Sequence, residues 1–240
     1  MAVMEQCKRK WYLRYIMKLY FDEQQPWSSF GLIIHEVAEK YKGEGIARLK
    51  ELTQNLITNS GLIVHPDYRP KLPVALRNFK RFYDTYLADS QYIKPELSFY
   101  TDLTHELDIT GALDVLYKDK SGEWVIVDYK TSKKKSEHSM QFAIYYYLLW
   151  RITGKKPTTI KCQIVYLSLE SLSEDIDEFV DTFVLEHDDI RMCEMRIHRA
   201  KETIDYCGKD EEKWKQKPSA LCNFCEYKKH GKCVPDLEKP

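Results

Sequence analysis

Gly111-Ala112-Leu113-Asp114, followed by Val125-Ile126-Val127-Asp128-Tyr129-Lys130, is the stretch whose reading decides the fold. Between its halves, Lys118-Asp119-Lys120-Ser121-Gly122-Glu123 is polar and carries a Ser-Gly dipeptide, a turn signal. Both flanks are rich in β-branched, aromatic and aliphatic residues, so the pair reads as a β-hairpin. With the turn centred near Ser121 and no bulge, Asp114 falls opposite Asp128 and Leu116 opposite Ile126. Strand side chains alternate faces, which puts Asp128 and Lys130 together and points Tyr129 away. Directly opposed carboxylates destabilise a hairpin unless a cation sits between them. A hard divalent ion with oxygen ligands would relieve that repulsion, and the neighbouring lysine would orient or activate a water. Val125-Ile126-Val127 is apolar on both faces, which predicts a central, covered strand rather than a solvated one. Charges at the end of such a strand imply a site for metal-dependent hydrolysis.

A chain of 240 residues can hold one large domain with a proper core. With 43% apolar and 31% charged residues it has the composition of a soluble globular protein. Lys+Arg and Asp+Glu both number 37, so no global field draws it to a polyanion. Contact with nucleic acid must come from local basic runs: Lys8-Arg9-Lys10, Arg77 to Arg81, Lys133-Lys134-Lys135 and Lys155-Lys156. Each alone reads as a solvated face; Lys133 to Lys135 gains weight by following Lys130 closely. No apolar run approaches the length of a membrane span, and the N-terminus lacks the apolar region of a secretory signal. Seven cysteines in such a chain point to a reducing, cytoplasmic setting, where thiols stay free for metals or chemistry.

Along the chain, Met4 to Phe21 is basic and aromatic with helical spacing, and Ser28-Ser29 predicts the cap of a helix running to Tyr41. Ala47 to Ala88 is helical and broken by Pro66, Pro70 and Pro73. Strands are predicted at Glu96–Tyr100, Glu106–Tyr117, Glu123–Thr131, Lys161–Leu169 and Thr182–Leu185. Helices are predicted at Ser139–Ile152, with an aromatic stripe, and at His187–Tyr206. This is an α/β or α+β sheet protein with flanking helices.

Cys222-x-x-Cys225 and Cys233 put three thiols within a dozen residues, and CxxC spacing lets two thiolates reach one metal from a single turn. Cys7, at the other end of the chain, is the best fourth ligand, and His230 is its rival in a zinc-type set. Cys162 reads as a core residue, while Cys193 and Cys207 carry no spacing signal. His35-Glu36-x-x-Glu39 begins like a zinc-protease helix, but Glu39 stands where a histidine is required. Taken alone, His35 reads as a satisfied core histidine.

Together, His35, Gly111-x-x-Asp114, Asp128-x-Lys130 and Gln141-x-x-x-Tyr145 resemble the RecB-like branch of the PD-(D/E)XK nucleases. Cys7, Cys222, Cys225 and Cys233 resemble its iron–sulfur subgroup, which includes CRISPR-associated exonucleases, the AddB nuclease domain and phage exonucleases. The resemblance spans essentially the whole chain, although only six residues precede Cys7, fewer than in many relatives. It implies a restriction-endonuclease-like core sheet flanked by helices, with the chain ends joined by a cysteine-ligated cluster. One nuclease domain would cover 1–240, with an N-terminal cluster segment at 1–22, a helical region at 23–92, the core at 93–186 and a C-terminal helix and cluster segment at 187–240.

By the same resemblance, His35, Asp114, Asp128 and the Tyr129 carbonyl would bind Mg²⁺ or Mn²⁺. Lys130 would activate water and stabilise charge at the phosphate, and Gln141 and Tyr145 would touch the DNA or order the site. The four cysteines would hold a [4Fe–4S] cluster, and Glu96 is the match for a glutamate found in the wider superfamily. The implied activity is a metal-dependent DNA exonuclease on single strands with a free end, 5′→3′, in repair, recombination, CRISPR adaptation or phage genome processing. The alternative is a noncatalytic DNA-binding or adaptor module that keeps the fold. No Walker A sequence is present, so any helicase partner is a separate chain.

Overall fold

The computed structural model describes every residue except 1, 22–25, 91–92, 105–106, 133–138, 155–156, 158–159, 171–174 and 234–240. The chain divides into two compact units, one of residues 24–190 and one of residues 1–23 with 191–240. In chain order the helices are α1 (Ala2–Gln6), α2 (Lys8–Trp11), α3 (Pro26–Lys40), α4 (Ile46–Asn59) and α5 (Leu72–Phe82). Strands β1 (Ile93–Thr104), β2 (Leu107–Lys118) and β3 (Trp124–Lys130) follow, then α6 (Ser139–Thr153), β4 (Lys161–Tyr166), β5 (Val180–Val184), α7 (His187–Cys207) and α8 (Glu226–Lys229).

Residues 24–190 are built on a five-stranded sheet in the order β1-β2-β3-β4-β5. Of the strand pairs in this sheet, β3 and β4 run parallel and the other three antiparallel, and α6 makes the connection that a parallel pair requires. One face of the sheet carries α3, α4 and α5, whose Phe30, Ile34, Leu49 and Phe79 share a core with Val115, Val125, Val127 and Val165. The other carries α6, where Phe142, Tyr146, Leu148 and Leu149 pack on Leu116, Ile126, Cys162 and Ile164. β3 is therefore covered on both faces: Val125 to Tyr129 are all at most 3% exposed. Fully burying each of its three aliphatic side chains is worth about 1.5–3 kcal/mol. Cys162 is a core residue, as its apolar strand implies.

Several boundaries move from the sequence expectation. α3 begins at Pro26, not at Ser28, because proline at the head of a helix forfeits no intrahelical hydrogen bond. Pro66 and Pro70 lie in a 3-10 turn, and Pro73 falls in the first turn of α5, so that helix is continuous from Leu72. β1 is much longer than Glu96–Tyr100, since it pairs along the whole of β2. β4 stops at Tyr166, where the Leu167 N–H donates to the Lys130 carbonyl and the Leu169 N–H turns back to Tyr166. The α6 stripe is broader than predicted: Tyr147 and Leu148 are buried as well. Among the described residues no helix is long and apolar enough to cross a membrane.

The hairpin register is the predicted one, with Leu116 opposite Ile126 and Val115 opposite Val127. Its turn is organised by Asp119, whose carboxylate accepts the Ser121 and Glu123 N–H groups (2.9 and 3.0 Å) and pairs with Lys161 at 2.7 Å. Against partial burial, which pushes it up, Lys161, Ser121 and the Glu123 N–H hold this carboxyl down to about 2. A depressed carboxylate stabilises the fold above its unfolded-state value and loses that contribution as pH falls through the folded value. Asp119→Ala is expected to cost about 1–2 kcal/mol at pH 7. The gap from wild type in urea unfolding should close between about pH 4 and pH 2; a gap constant with pH would refute the assignment.

In the other unit the two chain ends share one small core of Met4, Tyr12, Leu13, Cys207, Trp214 and Tyr227. Trp11 stacks on Trp214 at 4.9 Å, Arg9 pairs with Glu211, and the Tyr227 hydroxyl donates to the Leu19 carbonyl at 2.9 Å.

Candidate functional site

Asp128 and Lys130 end the central strand and point to the α6 side, as their alternation with Tyr129 requires. Asp128 is 3% exposed. Its Oδ1 accepts from Gln141 Nε2 at 2.6 Å and from the Tyr145 hydroxyl at 3.3 Å. Its buried Oδ2 forms an ion pair with Lys130 Nζ at 2.5 Å. Lys130 Nζ also donates to Gln141 Oε1 at 2.9 Å, and Gln141 Nε2 reaches the Tyr145 hydroxyl at 2.6 Å. Gln141 and Tyr145 are one turn apart on α6 and so present one face to the strand end. Burial lifts the Asp128 carboxyl above its usual range; Lys130 opposes that shift and Asp114 adds to it. Burial and the Asp128 charge also push the Tyr145 hydroxyl far up, so it remains a donor.

Asp114 lies one step beyond the last paired residues, Val115 and Val127. Because the Lys130 carbonyl bonds to the Leu167 N–H just past β4, the alternate residue Tyr129 turns its N–H and C=O towards β2. That N–H is taken by Asp114 Oδ2 at 2.6 Å. A side-chain carboxylate thus occupies the N–H where the ladder ends, and the Tyr129 C=O lies on the same strand edge. Asp114 Oδ1 meets His35 Nδ1 of α3 at 2.9 Å. The Tyr129 ring points the other way, edge-on to Phe79 and Phe82, with its hydroxyl buried and without a hydrogen-bond partner among the described residues.

The structure therefore brings His35, Asp114, Asp128, Lys130, Gln141 and Tyr145 to one strand end. Asp114 and His35 both act electrostatically on Asp128. Among the described residues no three His, Cys, Asp or Glu side chains yet converge on a single metal position; Asp128 is engaged by Lys130 and Gln141 rather than turned to the His35–Asp114 pair. The Glu96 side chain, Lys133 to Lys135 and Lys155-Lys156 lie outside the described residues. Sequence reasoning passed over Gly31, one helical turn before His35. A β-carbon there would stand 3.5 Å from Thr131 Oγ1, so this stretch of α3 runs past the end of β3. The i, i+4 spacing of Gly31 and His35 was the available signal.

In the other unit, Cys7, Cys222, Cys225 and Cys233 are all free thiols and line one cavity of about 50 Å³ with Lys10, Leu13 and Tyr227. Cys7 precedes the first turn of α2, Cys222 accepts the Ser219 N–H at 3.4 Å, and Cys225 precedes α8. His230 is not among the described residues lining that cavity; its ring stacks on Phe21 at 4.0 Å. Cys193 and Cys207 are buried elsewhere.

Residues 1–230 match the family model of the PD-(D/E)XK nuclease superfamily. No curated protein sequence matches the chain. Among solved structures, a Eubacterium rectale protein called "Putative exonuclease" is similar over 98% of this chain and 83% of its own, with 11% identity and a TM-score of 0.58, a likeness of fold. The protein SSO0001 aligns over 92% of this chain and 100% of its own, with 12% identity and a TM-score of 0.39.

Proposed function

The chain belongs to the PD-(D/E)XK nuclease superfamily, and from that premise we propose that it is a divalent-metal-dependent deoxyribonuclease of the RecB-like iron–sulfur branch, removing nucleotides from a free end of single-stranded DNA, 5′→3′. One observation carries the reading: a buried aspartate and a lysine at the end of the central strand, ordered by Gln141 and Tyr145, beside the His35–Asp114 pair. His35, Asp114, Asp128 and the Tyr129 carbonyl suit Mg²⁺ or Mn²⁺, because the set is dominated by hard oxygen donors and the repulsion between the two carboxylates calls for a cation. The bound ion would supply Lewis acidity and lower the pKa of its water.

The chain's own groups would do the rest. Lys130 holds a fixed positive charge beside Asp128, where it can align a water and meet developing charge on a phosphate oxygen. Gln141 fixes Lys130 with its carbonyl and Asp128 with its amide, so one side chain sets both. The Tyr145 hydroxyl, kept protonated, donates to Asp128 and Gln141 completes that link. In the cluster-bearing unit, four free thiols around one cavity fit a [4Fe–4S] cluster. Each cysteine would hold its own iron in such a cluster, so the four thiols need not meet at the position of one ion.

The test is digestion of 5′- and 3′-labelled single- and double-stranded DNA by anaerobically purified protein, with Mg²⁺, Mn²⁺ or EDTA. Metal-dependent release of short products from the 5′ label on single strands is expected. A folded protein that cuts nothing in either metal would return the reading to a noncatalytic DNA-binding module.

A further inference from the structure

Charge and apolar exposure are unevenly spread between the two units. The unit of residues 1–23 and 191–240 carries 17 Lys and Arg against 12 Asp and Glu, which leaves the other unit correspondingly acidic. It also exposes Tyr15 (46%), Tyr20 (67%) and Phe224 (82%). Large aromatics left in water at this extent, in a unit whose own core is small, are not needed for folding. They are interleaved with cations. The Arg14 guanidinium lies 5.7 Å from the Tyr15 ring centre, and Arg14 and Tyr20 both lie within electrostatic reach of the Tyr227 hydroxyl. Phe224 ends the turn that leads into Cys225, and Lys10 and Lys228 line the cysteine cavity beside it. Among the described residues, Glu226 and Arg14 both act on the Tyr227 hydroxyl, with opposite signs.

Flat apolar faces spaced among cations match one chemistry closely. Single-stranded nucleic acid offers unstacked bases to the rings and a phosphate chain to the lysines and arginine. A folded protein partner would bring its own hydrophobic core to such a patch and gain little from the surrounding positive charge. We propose that Tyr15, Tyr20 and Phe224, with Arg14, Lys10 and Lys228, form a stacking platform that binds single-stranded nucleic acid without base specificity. The proposal deepens the nuclease reading by giving the substrate a second contact, on the cysteine-bearing unit, and rests on that reading for its purpose. Binding itself does not depend on cleavage.

The experiment measures fluorescence anisotropy of a labelled thymidine oligomer of about 20 nucleotides with the full chain in EDTA, so that strand and protein stay intact whether or not the protein is a nuclease. Tyr20→Ala/Phe224→Ala is expected to weaken binding at least about tenfold, at a stacking worth on the order of 1–3 kcal/mol per base. An abasic oligomer of the same length should bind wild type and variant alike. Arg14→Ala/Lys228→Ala should reduce the dependence of log affinity on log salt by about 0.7 per lost contact. Tyr20→Phe/Phe224→Tyr, which keeps the rings, should bind as wild type, and this separates stacking from misfolding. Wild-type affinity in the Tyr20→Ala/Phe224→Ala variant, or an equal loss for the abasic strand, would overturn the platform. Cleavage that fails in the wild type while ring-dependent binding persists would strike only the nuclease reading.

Discussion

Asp128→Asn is expected to lower nuclease activity by about a thousandfold while leaving the metal-free protein as stable as wild type or more so. On the proposed function, in which Asp128 is a metal ligand, the activity loss follows from removing a charged oxygen at the reacting centre, since metal stabilisation of the transition state is worth several kcal/mol and each ~1.4 kcal/mol is tenfold. The stability result follows from burial. Asp128 is 3% exposed, and desolvation raises its carboxyl; Lys130 offsets that only in part, and Asp114 adds a smaller repulsion. A carboxyl whose folded pKa is raised is a liability in its charged form. That penalty is complete above the folded value and fades as pH falls toward the unfolded-state value. Wild type should therefore gain on the variant as the solution is acidified, and Mg²⁺ or Mn²⁺ at neutral pH should raise the melting temperature of wild type alone. An Asp128→Asn protein that unfolds several degrees earlier than wild type in EDTA would show that the carboxylate serves the fold instead. Active sites commonly exchange stability for function in this way.

The second large effect concerns the thiols. With the proposed cluster in place, Cys225→Ser is expected to abolish bound iron and sulfide and the visible absorbance they carry. The melting temperature should fall by roughly 10 °C, because binding free energy becomes folding free energy where no site exists in the unfolded chain. Among the described residues, the core that the chain ends share in the cysteine-bearing unit is a small cluster of six buried side chains. That unit is therefore the part least able to stand without a staple. The chemistry at Asp128 and Lys130 should suffer less than the stability. A variant with full activity and an unchanged melting temperature would remove the staple, and zinc without iron in the wild type would replace the cluster with a different metal.

The two sites were legible in the sequence to different depths. Residues close along the chain could be read directly: the register of β2 with β3, the burial of Val125 to Val127, the pairing of Lys130 with Asp128 on one face, and the CxxC turn all follow from local periodicity. Strand alternation has only two phases, and an apolar pattern on both faces leaves the central strand no other place. The engagement of Asp114 with the Tyr129 N–H was not legible, because the same carboxylate could have continued the ladder as an ordinary strand residue.

Amino-acid order alone determined which residues end the buried strand, which helix faces are apolar and which thiols share a turn. Only the tertiary structure decided the company they keep. His35 meets Asp114 across 79 positions of chain, Gln141 comes to lie between Lys130 and Asp128, and Arg9 reaches Glu211 across 202 positions in the unit that gathers Cys7 with Cys222, Cys225 and Cys233. Such meetings depend on how α3 and α6 pack on the sheet and how the chain ends share one core. Packing is a sum of many weak contacts over whole surfaces, and no short spacing in the sequence encodes it.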